Sequence, residues 1–224
     1  MTWRPSGRML AWTGGVLAVL VALVVVVVAT PVMSVRTVEV SGARGESAAV
    51  VRDLADVPLG VPLARLDTAA ITERLSALPQ LASVRVDRGW PSTVTLVVTE
   101  RVPLALVDDG GRQWLVDAEG VLFAQVTEAP AGLPVLEVDS AGPDDVATRA
   151  ALGVLRVLPE DIRQRVGRIT ATSADGVQLK LVGGRTVVWG SAEDSVRKAE
   201  VLAAVFSQPG GLIDVSSPEA VVIR

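Results

Sequence analysis

Residues Ala82–Glu100 read ASVRVDRGWPSTVTLVVTE. Val84 and Val86 share one face with Arg85 and Asp87 on the other, then Val94, Leu96 and Val98 alternate with Thr93, Thr95 and Thr99. Period-two alternation marks half-buried strands, and Gly89-Trp90-Pro91-Ser92 between the two runs reads as a hairpin link. Trp90-Pro91 is read there as a packed turn and not as a docking site.

The residues before the hairpin set its context. Ser47–Val57 has Val50, Leu54 and Val57 at i, i+4 and i+7, the stripe of a helix with one buried face, and PLGVP at Pro58–Pro62 breaks it. A second helix starts at Asp67 or Thr68 as cap, carries Ile71, Leu75 and Leu78 inward, and stops at Pro79. Ahead of both, Val38 and Val40 alternate with Thr37 and Glu39 in a short strand ending at Ser41-Gly42. The order is β-α-α-β-β.

Further upstream lies a different kind of chain. LAVLVALVVVVVA, Leu17–Ala29, has no polar side chain, and the apolar run as a whole covers residues 9–30. Roughly 20 residues make ~30 Å of helix, the thickness of a bilayer's hydrocarbon core. A cleaved signal peptide has a shorter apolar region and a small-x-small exit, whereas the exit here is Val28-Ala29-Thr30-Pro31. A retained transmembrane helix over 9–30 is therefore expected, with 1–8 as a tail and 31–34 as a linker. Arg4 and Arg8 with no acid make that tail cytoplasmic and put the bulk of the chain outside, despite Arg36 and Arg44 on the far flank.

Composition narrows the chemistry. Net charge is −4 and the pI about 5.0, which argues against nucleic acid and against lying flat on anionic lipid. With no cysteine, the part outside depends on ordinary cores. With no histidine, Ser-His and Cys-His nucleophiles are impossible and zinc or copper lacks its usual ligands. Lys180 and Lys198 are the only lysines, neither in a Ser-x-x-Lys pattern, and there is no phosphate-binding glycine loop. The acid pairs Asp108-Asp109, Asp144-Asp145 and Glu193-Asp194 sit beside turn or cap signals and read as solvated loop acids. No catalytic, cofactor-binding or metal-ligating residue is expected, and no small-molecule substrate.

The second half is rich in short strands. LALV, RQWLVD and VLFAQV are joined by turns at Asp108–Gly111 and Ala118–Gly120, and Leu133–Leu136 adds a possible fourth strand. Asp144–Leu158 reads as a helix with Val146, Ala150, Val154 and Val157 inward. VQLKLVGGRTVVWG reads as a hairpin turning on Gly183-Gly184, which sets Leu179 opposite Val188, Lys180 opposite Val187 and Gln178 opposite Trp189. Ala192–Phe206 reads as a helix burying Val196, Ala199, Ala203 and Phe206, with Glu193–Arg197 and Asp194–Lys198 paired outside. Arg156–Arg168, RVLPEDIRQRVGR, is taken as a solvated face, and LIDV and EAVVIR close the chain.

This ordered set resembles the bacterial cell-division family FtsQ/DivIB. VEVSG (Val38–Gly42), GVPLARLDT (Gly60–Thr68), LPQLASVRVDRGWPSTV (Leu78–Val94) and VTERVPLAL (Val98–Leu106) resemble its POTRA domain. LVDAEGVLF (Leu115–Phe123), LPVLE (Leu133–Glu137), GGRTVVWG (Gly183–Gly190), RKAEVLAAV (Arg197–Val205) and LIDVSSPEAVVIR (Leu212–Arg224) resemble its β domain. The fold expected is α+β: a transmembrane helix, a POTRA domain over 35–103 and a strand-rich domain over 104–224 with a mostly antiparallel sheet, hinged at Glu100–Pro103. The resemblance implies a non-enzymatic divisome scaffold in the cell membrane at the mid-cell septum. It implies binding of FtsB/DivIC and FtsL homologues, and through them recruitment and regulation of FtsW and the septal transpeptidase. In the family the last strand of the β domain offers its edge to FtsB/DivIC, so the implied contact residues are Leu212, Ile213, Asp214, Ala220, Val221, Val222, Ile223 and Arg224. The aromatic and basic contact positions of well-known relatives read Val215-Ser216-Ser217-Pro218 here, so backbone pairing is expected to dominate, and proline at Val222 to block it. The alternative reading is a POTRA-type extracytoplasmic adaptor for secretion or envelope assembly.

Overall fold

The structure, a computed structural model, describes residues 12, 15–22, 33–43 and 45–224. The expected tail 1–8 and most of the expected membrane helix 9–30 lie outside the described residues; residues 12 and 15–22 of that run are helical. Among the described residues no helix is long and apolar enough to cross a membrane. The chain divides into two compact units, Met1–Glu100 and Arg101–Arg224, each with its own core.

Unit 1 contains β1 (Thr37–Ser41), α1 (Gly45–Ala55), α2 (Thr68–Ser76), β2 (Leu81–Gly89) and β3 (Thr93–Glu100). β2 and β3 form the antiparallel hairpin, and Val94, Leu96 and Val98 are buried as the alternation requires. β1 adds to the other side of β3 in parallel, from Thr37 opposite Thr93 to Ser41 opposite Val97, so the sheet runs β1-β3-β2. That pairing needs a crossover, which α1, α2 and β2 supply. The fold begins before β1: Ser34 bridges to Pro62 and is buried, so the expected 31–34 linker is at its end part of the domain.

α2 follows expectation, with the Asp67 carboxylate accepting from the Ala70 amide at 3.0 Å and Ile71 and Leu75 buried. α1 does not, because it carries two adjacent i, i+4 pairs. Val51 and Ala55 are buried, while Val50 and Leu54 are 50% and 40% exposed. The small Ala55 lets the helix come close to α2 and β1, against which it packs, and the bulkier pair is left outside. Trp90 is also misread as packed, since it is 54% exposed at the hairpin tip.

Unit 2 contains β4 (Ala105–Asp109), β5 (Arg112–Val116), β6 (Leu122–Val126), β7 (Val135–Glu137), α3 (Val146–Val157), α4 (Glu160–Arg163), β8 (Val166–Ala171), β9 (Val177–Leu181), β10 (Thr186–Gly190), α5 (Ser195–Val205), β11 (Leu212–Asp214) and β12 (Val222–Ile223). They form one sheet in the order β12-β11-β10-β9-β8-β7-β4-β5-β6. It is mixed and, as expected, mostly antiparallel: five neighbouring pairs are antiparallel, while β4/β7, β7/β8 and β10/β11 are parallel. Two of the parallel pairs have a helix between the partners, α3 or α5, and a helical crossover returns the chain in its starting direction. α4 and the first half of β8 fall in the segment Arg156–Arg168 taken for a solvated face. Arg163, Arg165 and Arg168 interrupt its apolar residues, yet Leu158, Ile162 and Val166 are buried, as are Ile169 and Ala171 just beyond it.

Register and helix facing were decided by packing. In the β9–β10 hairpin, Leu179 pairs with Val187, Lys180 with Thr186 and Gln178 with Val188, one residue off the expected register. The Leu181 amide donates to the Arg185 carbonyl at 2.8 Å, so the loop is Val182-Gly183-Gly184 and not a two-residue turn. This register alone sets Val177, Leu179, Leu181, Val187 and Trp189 together on the buried face. In α3, Val146 is 53% exposed at the first turn, while Ala150, Leu152, Val154 and Leu155 are buried. In α5 the buried stripe is Lys198, Ala199 and Leu202; Val196 is 64% exposed and Ala203 exposed. The expected outer ion pairs do not form as drawn: Asp194 precedes the helix in a left-handed conformation, and Lys198 is buried, donating to the Ser191 carbonyl at 2.9 Å. Arg197 lies 3.6 Å from Glu219 instead.

Candidate docking edge

The last strand is an edge of the unit 2 sheet, but shorter than the expected Ala220–Ile223. Pro218–Ala220 forms a turn, with the Ala220 amide donating to the Ser217 carbonyl at 3.0 Å, and pairing begins at Val222. Val222 stands opposite Asp214 and Ile223 opposite Ile213, antiparallel. Leu212, Ile213 and Asp214 are therefore one strand inside the edge, between β10 and β12, and Ile213 is fully buried.

Ladder parity assigns the free groups. The Arg224 amide donates to the Leu212 carbonyl and the Leu212 amide to the Arg224 carbonyl, both at 3.0 Å. In an antiparallel ladder such exchanging pairs alternate with pairs whose N–H and C=O point away. Val222 and Arg224 thus turn inward to β11, while the backbone of Val221 and Ile223 turns outward from the sheet. Their side chains pack partly on the core, and the Val222 side chain is 41% exposed.

The chain behind the edge is held by Arg185. Its Nε donates to the Gly210 carbonyl at 2.8 Å and Nη1 to the Phe206 carbonyl at 2.7 Å, with Nη2 on the Gln208 carbonyl. The guanidinium thus caps the end of α5 and ties down the turn into β11, using the planar fork that lysine lacks. Gly210 is required at that turn: with φ +153°, a Cβ there would lie 2.6 Å from Ile223 Cγ2 and 2.9 Å from the Arg224 oxygen. Val215 is fully buried, with its amide donating to the Val188 carbonyl at 2.9 Å, so of Val215–Pro218 only the two serines are exposed. The opposite edge of the sheet is β6.

The acid pairs serve local structure. The Asp108 carboxylate accepts from the Gly111 amide at 2.8 Å, and Asp145 caps α3 by accepting from the Thr148 amide at 2.6 Å and hydroxyl at 2.7 Å. The Thr148 hydroxyl, then its amide, hold the Asp145 carboxyl below the ordinary range. No group of three or more potential metal ligands occurs among the described residues. Three structural residues had no sequence signal strong enough to find them: Arg185, buried Lys198, and buried Asp117, which pairs with Arg101 and accepts from the Glu119 and Val121 amides at 3.0 and 2.8 Å.

Comparison with known proteins bears on both units. Residues 33–101 match the family model of the FtsQ-type POTRA domain, and residues 105–219 that of the cell division protein FtsQ/DivIB C-terminal region. The chain is 42% identical over 217 residues to cell division protein FtsQ of Mycolicibacterium smegmatis, covering 97% of this chain and 65% of that protein. It is 40% identical to FtsQ of Mycobacterium tuberculosis H37Rv, covering 87% of this chain and 62% of the relative, and 41% identical to FtsQ of Streptomyces bingchenggensis, covering 84% and 75%. The chain thus spans somewhat less than two thirds of the first two relatives. Among solved structures it is similar to the major extracytoplasmic domain of the trans isomer of DivIB from Geobacillus stearothermophilus, at 21% identity and TM-score 0.37, over 50% of this chain and 98% of that one.

Proposed function

Because this chain belongs to the FtsQ/DivIB family of cell division proteins, we propose that it is a membrane-anchored, non-enzymatic scaffold of the divisome. In this reading residues 9–30 span the cell membrane with the amino terminus in the cytoplasm. Residues 35–103 and 104–224 work outside as POTRA and β domains. An FtsB/DivIC homologue adds a strand to β12, FtsL joins the same complex, and together they recruit and regulate FtsW and the septal transpeptidase.

The observation that carries the reading is the edge itself. A two-residue strand cannot hold a partner by side-chain area, but its outward N–H and C=O groups template an incoming strand. Leu212, Ile213 and Asp214 act in this scheme as the backing strand, and Ala220, Val221, Val222, Ile223 and Arg224 as the contact segment. The test is co-purification of the full chain with its FtsB/DivIC homologue, together with imaging of a fluorescent fusion. Capture of that protein and accumulation at mid-cell are expected. An even distribution around the membrane, with no capture, overturns the reading.

A further inference from the structure

We propose that one end of unit 1, bearing Trp90, Leu59 and Arg36, rests in the headgroup layer of the bilayer, so that the module docks on the membrane. The inference depends on residues 9–30 being a membrane anchor, as argued above.

Three stretches of chain meet at this end. The Arg36 and Thr37 amides both donate to the Ser92 carbonyl, at 2.8 and 3.2 Å, which fixes the β2–β3 hairpin tip beside the start of β1. The Gly60 amide donates to the Val35 carbonyl at 2.8 Å and the Val35 amide to the Val61 carbonyl at 2.9 Å, which brings Leu59 to the same place. Here Leu59 is 66% and Trp90 54% exposed. Neither is needed to close its turn, since the contacts that do so are made by neighbouring backbone.

Sequence distance says what lies nearby. The apolar run ends at Thr30, and the chain from Thr30 to Arg36, fully extended, reaches only about 20 Å. Arg36 is thus tethered within that distance of the hydrocarbon boundary, with the hairpin tip held beside it through the Ser92 carbonyl, and the bound shortens if the segment is not extended. Tryptophan, with an apolar ring and one N–H donor, favours the boundary between hydrocarbon and water, and leucine adds apolar area without polar cost. The charges agree with an anionic lipid surface. Arg36 and Arg65 are exposed, and Arg88 donates to the Leu66 carbonyl at 2.8 Å; Asp67 opposes them but is occupied as the α2 cap, and Asp87 is paired with Arg85 at 3.0 Å. The overall acidity of the chain resides elsewhere. A module so tethered and so tipped gains a preferred orientation on the membrane from side chains that its fold does not use.

The chain has no cysteine, so single labels report cleanly. Full-length Leu59→Cys and Gln80→Cys, the second at the far end of β2, would carry a fluorophore in vesicles of phosphatidylcholine and phosphatidylglycerol containing a headgroup-nitroxide lipid. Flotation with the vesicles after carbonate washing tests the anchor separately. In floating protein the label at position 59 should be strongly quenched and that at position 80 little, and Trp90→Ser should remove most of the quenching at 59 without changing the melting transition. Equal quenching at both positions, or none at 59, in protein that floats means that the tip faces water or another protein, and overturns the proposal. Failure to float overturns the anchor reading, and the docking proposal with it.

Discussion

Asp145 shows how a single acid in a loop is used. Its carboxylate caps α3 through the Thr148 amide and hydroxyl, and those bonds hold its pKa below the usual carboxylate value. Replacing an acidic cap by alanine costs about 1 kcal/mol, so with an unchanged slope of about 2 kcal/mol per M Asp145→Ala should lower the urea midpoint by about 0.5 M. A lowered native pKa means that the unfolded chain binds the proton first as acid is added. The stabilisation is therefore complete above the unfolded value, near 3.8, and disappears as the pH falls through the lower native one. Asp145→Asn, which keeps an acceptor but no charge, should lose this pH dependence, and a stability difference from the parent that persists undiminished at the acid limit would contradict the account. Asp117 is a different case. It is buried, receives two amides and pairs with Arg101, whose side chain is 17% exposed. Removing one partner of a largely buried pair costs about 3 kcal/mol, mostly from desolvation left uncompensated. Asp117→Ala should be the more damaging substitution by thermal melting, and equal losses for the two aspartates would mean the pair is effectively solvated.

Among the elements, β12 has the sharpest consequence. Proline at Val222 is the obvious way to block an edge, but ladder parity turns the Val222 amide toward β11, so that substitution attacks the sheet. The outward donor belongs to Ile223, and proline there deletes it while leaving the inward bonds of Val222 and Arg224. Ile223→Pro should abolish capture of the FtsB/DivIC homologue, whereas Val222→Thr should cost about 1 kcal/mol or less, the span of strand propensities. Melting curves read beside the binding assay separate lost docking from lost folding. A folded Ile223→Pro chain that binds normally would move the docking edge to β6 or to the surface around Arg156.

At the scale of the whole molecule, two cores and two sheets joined at Glu100–Arg101 predict two proteolytic survivors. Val102 is 76% exposed in the joining stretch, so limited digestion of residues 33–224 should cut first beside Val102, ahead of the buried Ala105 and Leu106 of β4, and a first cut within α2 would contradict the division. The sequence by itself determined the order β-α-α-β-β, the alternation of β3, a cap at Asp67 or Thr68 and most of the short strands of unit 2, because these depend on residues within a few positions of one another. It also named the family, since ordered motifs survive without any knowledge of packing. Tertiary structure decided the rest. Val50 and Val51 are equally good helix faces until Ala55 is seen to permit close approach, and Leu179 can face Val187 or Val188 until the buried side of the sheet is known. β8, with arginines among its apolar residues, becomes a strand only because β7 and β9 flank it. Which amide of the last strand is free depends on hydrogen-bond parity between segments ten residues apart, and no local pattern of side chains encodes that.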